Sequence, residues 1–244
     1  MIFPSRAAAA LGAVCVLAAS SAAAGLSCPP GVLDEKGLGR VPLFSSLPLS
    51  RTPFARNWRR AQKELAKKFP YLLFEKPENL HITLAFMSVS GWDPAKLADM
   101  ERLGLDGPDL SSGPVTLTGT PDLFGPQKQV AAMRLEPVPP SWSKRLRADR
   151  QAMTDAGLRP RDRYDDVFTP HVTLATAPKP DEQRAELARF EKWLSAHARA
   201  LGGLRIVLDR SVKPAYFVVI GRDADTRFEP LRAYCAPAAR QPGR

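Results

Sequence analysis

Two short phrases carry most of the neutral-range titratable chemistry of this 244-residue chain. One is Asn79-Leu80-His81-Ile82-Thr83-Leu84-Ala85-Phe86. The other is Phe168-Thr169-Pro170-His171-Val172-Thr173-Leu174-Ala175-Thr176. Each contains His, a β-branched residue, Thr, Leu and Ala in that order, and together they hold two of the three histidines of the chain. Imidazole titrates near neutrality, so one ring can accept a proton while a second donates one. Threonine hydroxyls can donate hydrogen bonds to anionic oxygens. Two imidazoles and two hydroxyls brought together make a set suited to displacement at phosphorus. A base activates the incoming oxygen, an acid on the far side protonates the leaving alkoxide, and the hydroxyls hold the non-bridging oxygens. No carboxylate, cysteine or histidine spacing matches a metal-ligand pattern, so no cofactor is expected.

The phrases need strands to present them. Side chains on a strand alternate between its faces. His81 and Thr83 are therefore expected on one face with the small Ala85 beside them, and Leu80, Ile82, Leu84 and Phe86 on the other, in a core. The same alternation separates His171 and Thr173 from Val172 and Leu174. Around them the chain is read as mixed. Val41 to Leu49 is a short apolar strand. Thr52-Pro53 is an N-cap followed by proline at the first helical position. The helix after it places Phe54, Trp58, Ala61, Leu65 and Phe69 on one stripe, with Arg56, Arg59, Arg60, Lys63 and Lys67 off it, and Pro70 ends it. A second helix opens at Asp93-Pro94, with Leu97, Met100 and Leu103 inward, and closes at Gly104. Pro114–Thr120 and Gln129–Leu135 are strands separated by a Pro/Gly turn. Ser141–Ala156 is a helix carrying Trp142, Leu146 and Met153. Asp181–Leu201 is a long helix stopped by Gly202-Gly203, and Leu204–Leu208 and Ala215–Ile220 are the last strands. Trp58 and Trp142 are packing residues by their spacing, and His197 is a helix-face residue without a role.

Each half of the chain holds one phrase followed by a helix with Asp at its start, which suggests an internal duplication. The expected fold is α+β: two pseudo-symmetric lobes, each a mostly antiparallel sheet with helices outside, facing a central cleft. The domain is expected over residues 41–235, after an irregular leader 25–40 and before a flexible tail 236–244.

Residues 1–24 stand apart. They carry one charge, Arg6, in an Ala-rich apolar run ending in Ala22-Ala23-Ala24. That is the pattern of a secretory signal peptide, with an uncleaved N-terminal anchor as the other reading. A lipid anchor at Cys28 is disfavoured by Gly25, where a large aliphatic residue is usual. The expected location is exported, periplasmic or secreted, with no membrane insertion after cleavage. Cys28 and Cys235 then remain, one at each end of the domain, and a disulfide between them is expected in an oxidising compartment. The formal net charge of +10 suits nucleic acid, anionic lipid or wall polymer equally, and simple solubility as well.

The two phrases resemble those of the two-histidine (2H) phosphoesterase superfamily. Pro77-Glu78-Asn79-Leu80-His81-Ile82-Thr83-Leu84-Ala85-Phe86 and Phe168 to Ala175 are similar to its branch of RNA 2',3'-cyclic phosphodiesterases, the 2'-5' RNA ligase-like proteins. The resemblance runs from about Val41 to Ile220, and only the two motifs are specific. It implies a two-lobed fold with a pseudo-twofold axis and metal-independent hydrolysis of a 2',3'-cyclic phosphate, on an RNA end or a nucleotide, to a 2'-phosphomonoester. By that likeness His81 protonates the leaving 3' oxygen, His171 activates water, and Thr83 and Thr173 bind phosphate oxygens. Two departures stand out. Many relatives have Arg where this chain has Thr176, so Arg159, Arg161 and Arg163 of the basic loop before the second phrase become the candidate replacement cations. The first motif ends Phe86-Met87-Ser88 rather than Phe-Leu-Gly. A monomer is expected. The competing readings are a non-catalytic RNA- or nucleotide-binding protein using the same cleft, and a wall- or membrane-associated protein whose basic helix 53–69 binds anionic polymer.

Overall fold

The computed structural model describes residues 42–88, 110, 113–155, 169–220 and 226–231. The expected signal segment, the leader, Cys28, Cys235, the helix opening at Asp93, the loop carrying Arg159, Arg161 and Arg163, and the tail lie outside the described residues.

Helix α1 (Pro53–Lys68) begins as its sequence dictates. The Thr52 hydroxyl accepts from the Ala55 amide at 3.3 Å and donates to the Leu49 carbonyl at 2.7 Å. It thereby satisfies one of the amides that a helix start leaves without a partner. The predicted stripe is the packed one: Phe54, Trp58, Leu65 and Phe69 are buried, and Ala61 packs against the same core. Trp58 is fully enclosed, and its indole N–H donates to the Glu75 carbonyl at 2.8 Å. Trp142 is buried as well, on helix α2 (Pro140–Asp155) beside Leu146 and Met153. Both tryptophans are thus packing residues. Helix α3 (Pro180–Ala196) buries Leu187, Phe190 and Leu194. It stops five residues short of the expected end, because Ala198–Leu201 tightens into a 3-10 turn. Gly202 and Gly203, both left-handed (φ 76° and 72°), close that turn with amide bonds to Arg199 and Ala198.

Among the described residues, nine strands form two sheets, and all of their pairings are antiparallel. The first sheet runs β3-β1-β8-β9: His81–Ser88, Pro42–Pro48, Ala215–Ile220 and Arg227–Pro230. The second runs β2-β6-β5-β4-β7: Leu73–Phe74, His171–Thr176, Val130–Glu136, Val115–Phe124 and Arg205–Leu208. The α+β class with two antiparallel sheets is as expected. The partition is different from two consecutive halves. β2 leaves the first part of the chain to edge the second sheet, and β8 and β9 return from the C-terminal part to complete the first. Pairing across the chain is a tertiary choice that a linear duplication does not encode.

One boundary also differs. β4 continues through Pro121-Asp122-Leu123-Phe124, where a turn is expected from sequence. Its pairing with β7 ends at Thr118, so the missing amide of Pro121 falls where that edge has no partner strand. The reversal is instead made at Gly125–Lys128, with Gly125 at φ 90° and Lys128 at φ 52°. β2 and β9 have no sequence signal. β2 has only two residues, and β9 reads Arg227-Phe228-Glu229-Pro230, with one apolar side chain between charged residues and a proline, so neither shows an alternation of apolar positions.

One contiguous core lies under both sheets, joining α1, α2 and α3 to Leu47, Ile82, Leu84, Leu135, Val172, Leu174 and Ile206. The apolar positions of both phrases are therefore anchored in the same body. β3 and β6, one from each sheet, approach one another.

Candidate active site

The two phrases are held by matching pairings. On β3, His81 lies opposite Pro48, Ile82 opposite Leu47 and Thr83 opposite Ser46; the register then skips Leu84, and Ala85 lies opposite Ser45. On β6, His171 lies opposite Arg134, Val172 opposite Met133 and Thr173 opposite Ala132; the register skips Leu174, and Ala175 lies opposite Ala131. The extra residue therefore falls at the same place in both phrases. An extra residue in one strand resets the alternation beyond it. His81, Thr83, His171 and Thr173 are half-buried on the expected face, and Ile82, Leu84, Val172 and Leu174 are buried as expected. Ala85 and Ala175 are buried too, at 2% and 0% exposure. Strict alternation placed Ala85 on the histidine face; the skipped leucine turns it into the core instead. The side chain of Phe86 lies outside what is described.

Both imidazoles are oriented by one local device. His81 Nδ1 is 2.6 Å from the Asn79 carbonyl, and His171 Nδ1 is 3.1 Å from the Thr169 carbonyl, each two residues back along the chain. A carbonyl can only accept, so in the neutral ring Nδ1 carries the hydrogen and Nε2 keeps its lone pair for whatever enters the site. Aromatic rings fix the planes. Phe44 lies 4.8 Å from His81, and Phe228 meets it edge-on at 4.9 Å and 86°. Phe124 stacks on His171 at 4.8 Å and 19°.

Burial among aromatic side chains pushes His81 down from its usual 6.5 to about 4. The hydrogen bond to Asn79 opposes that shift, and the positive charge of His171 adds to it. The strands that carry the two rings, β3 and β6, approach one another. At neutral pH His81 is an uncharged ring with its Nε2 lone pair available. Asn79 shapes this environment from beneath. It is buried, its amide donates to the Thr226 carbonyl at 3.1 Å, and its Oδ1 accepts from the Phe228 amide at 3.4 Å. Asn79 thus docks β9 and with it the Phe228 ring.

The model for the 2'-5' RNA ligase superfamily matches residues 50–202, more than half of the chain and both phrases. The chain belongs to the 2'-5' RNA ligase superfamily. Among solved structures, E. coli LigT complexed with 3'-AMP is similar at 16% identity and a TM-score of 0.47, covering 79% of this chain and 96% of that one. A phosphoesterase structure is similar at 17% identity and a TM-score of 0.46, covering 79% and 95%. A Thermus thermophilus protein, TT0787, is similar at 17% identity and a TM-score of 0.45, covering 78% and 95%. No curated protein matches.

Within this 2'-5' RNA ligase superfamily chain, the fold brings His81, Thr83, His171 and Thr173 onto the two approaching strands. Arg159, Arg161 and Arg163 lie outside the described residues. Asn79, Phe44, Phe124, Phe228 and Arg134 surround the site without having been singled out from sequence. Asn79 alone carries a legible signal, its position two residues before the first histidine. The four others are set by strand pairing. His197 stacks on Trp193 at 4.4 Å and bonds its carbonyl at the end of α3, which makes it a helix-end residue. Among the described residues, no three His, Cys, Asp or Glu side chains gather to hold a metal ion. No helix among them is long and apolar enough to cross a membrane.

Proposed function

We propose that this chain is a metal-independent cyclic phosphodiesterase that opens a 2',3'-cyclic phosphate, on an RNA end or a nucleotide, to a 2'-phosphomonoester. The observation that carries this reading is the duplication of the whole device. Two His-x-Thr strands repeat the pairing register, the carbonyl-fixed tautomer and the half-buried face, and the two strands approach one another. Superfamily membership supports the same class of chemistry.

In the proposed reaction the Nε2 atoms do the proton work. His81, uncharged at neutral pH, takes a proton from water as its oxygen attacks phosphorus. His171 gives a proton to the departing 3' oxygen. This reverses the roles that the resemblance implies, and the depressed basicity of His81 is the reason. A ring that resists protonation in the free protein enters the reaction as the acceptor. The anionic phosphate raises its basicity once bound, towards the neutral value at which a general base works best. Thr83 and Thr173 donate to the non-bridging oxygens and hold phosphorus between the two rings.

The test is incubation of the purified protein with each of the four nucleoside 2',3'-cyclic monophosphates, followed by phosphorus NMR. Conversion of the cyclic resonance to that of a 2'-phosphomonoester, at a rate unchanged by EDTA, is expected. Binding without conversion, or a rate abolished by EDTA and restored by zinc, refutes the reading.

A further inference from the structure

The two phrases match closely, but the residues facing their histidines do not. Opposite His81 stands Pro48, which has no charge; opposite His171 stands Arg134. Residues directly opposite on antiparallel strands share a face, with Cβ atoms about 5 Å apart. Arg134 therefore rises on the same face as His171 and Thr173. Its neighbours Met133 and Leu135 are buried on the other face, and Arg134 itself is exposed. Its guanidinium is held by an acidic neighbour on β4, the strand on the other side of β5 from β6. Nη2 lies 3.3 Å from Asp122 Oδ2, on the next strand over, where Asp122 stands opposite Ala132 and Ala132 in turn opposite Thr173. Asp122 is fixed as well, because its Oδ1 accepts from the Leu123 amide at 2.8 Å. The pairing engages one nitrogen of a planar group that has five N–H donors. Both side chains stay open to solvent, at 45% for Arg134 and 36% for Asp122.

We propose that Arg134 is the phosphate-binding cation of this site, its guanidinium contacting a non-bridging oxygen of the reacting phosphate from the His171 side while Asp122 holds it in place. This rests on the phosphodiesterase reading and gives it a direction. A guanidinium on β5, opposite His171, draws the phosphate oxygens of a bound substrate towards β5 and β6. Guanidinium is the group suited to this role, because its planar fork matches two phosphate oxygens and stays charged at any working pH.

The experiment compares wild type with Arg134→Ala and Arg134→Lys in two measurements. Inorganic phosphate binding, followed by NMR titration, needs no turnover. Arg134→Ala should weaken it at least tenfold, Arg134→Lys less, with the thermal midpoint unchanged because the residue is exposed. Turnover of a nucleoside 2',3'-cyclic monophosphate by Arg134→Ala should fall on the order of 10²-fold, the usual cost of removing one charge-stabilising donor. Millimolar guanidinium ion, but not ammonium, should restore part of it. Phosphate affinity equal in wild type and Arg134→Ala overturns the inference, as does the absence of phosphate binding to wild type. A loss confined to oligonucleotide substrates also overturns it, since it would place Arg134 on a distant phosphate. A wild type that binds phosphate through Arg134 yet hydrolyses none of the cyclic substrates leaves this inference standing and sinks the phosphodiesterase reading instead.

Discussion

Protonating His81 should destabilise the folded protein, by an amount that follows from its environment. The ring is held at about 4 by burial against Phe44 and Phe228 and by the charge of His171, whereas an unfolded chain titrates its histidines near 6.5. Between those values the unfolded state binds a proton that the folded state refuses, so stability falls as pH falls. The contribution is fully present above pH 6.5. About 2 kcal/mol is lost by pH 5 and about 3 kcal/mol by pH 4, at 1.36 kcal/mol per unit of difference. Other groups titrate in the same window. Glu75, raised by burial, works in the opposite direction, because its folded form holds a proton more readily. The control is therefore His81→Asn, whose amide can still donate to the Asn79 carbonyl but cannot titrate. Urea unfolding of both proteins at steps between pH 4 and pH 7 isolates the histidine as the difference of their pH slopes. The wild type should lose about 3 kcal/mol more than the variant over that range. Parallel curves would mean that His81 is protonated as readily in the folded as in the unfolded state, and the assignment of His81 as the neutral partner would fall with them.

Three further outcomes test the site. His171→Ala should lower turnover of a cyclic phosphate by about 10²–10⁴-fold, the range for a lost general acid, but should spare a 4-nitrophenyl phosphodiester of the same nucleoside, whose leaving group needs no proton; His81→Ala should impair both, and the reverse pattern would restore the roles implied by resemblance. Asn79→Ala should unclamp β9, costing about 1–3 kcal/mol in urea unfolding for the orphaned backbone groups, and should move the His81 titration seen by NMR upwards towards 6.5 as the Phe228 ring withdraws; an unmoved titration would show that Phe228 does not set the environment of His81. The His81→Ala, His171→Ala double variant should be little slower than the worse single variant, because two groups that act as a unit do not add; multiplicative losses would argue for separate roles.

Local chemistry is what the sequence by itself determined. The helix stripe from Phe54 to Phe69 was readable because helical packing repeats every three to four residues. The face shared by His81 and Thr83 was readable because strand side chains alternate over so short a distance. The recurrence of the His-x-Thr phrase pointed to a joint site before any strand was placed. Tertiary structure decided everything that depends on which strand lies beside which. The first sheet is completed by β8 and β9, from the far end of the chain, and only that completion brings Phe228 onto His81 and gives Asn79 its backbone partners. Nothing in Arg227-Phe228-Glu229-Pro230 marks it as a strand. The skipped Leu84 and Leu174 are equally invisible, since an extra residue is defined only against a partner strand, and it is this that turns Ala85 and Ala175 inward. The lowered basicity of His81 has the same origin, because it comes from burial among side chains that the fold sets around the ring. Pro48 and Arg134 are far apart in sequence from the histidines they face, so the asymmetry between the two lobes is a property of register, which long-range pairing alone determines.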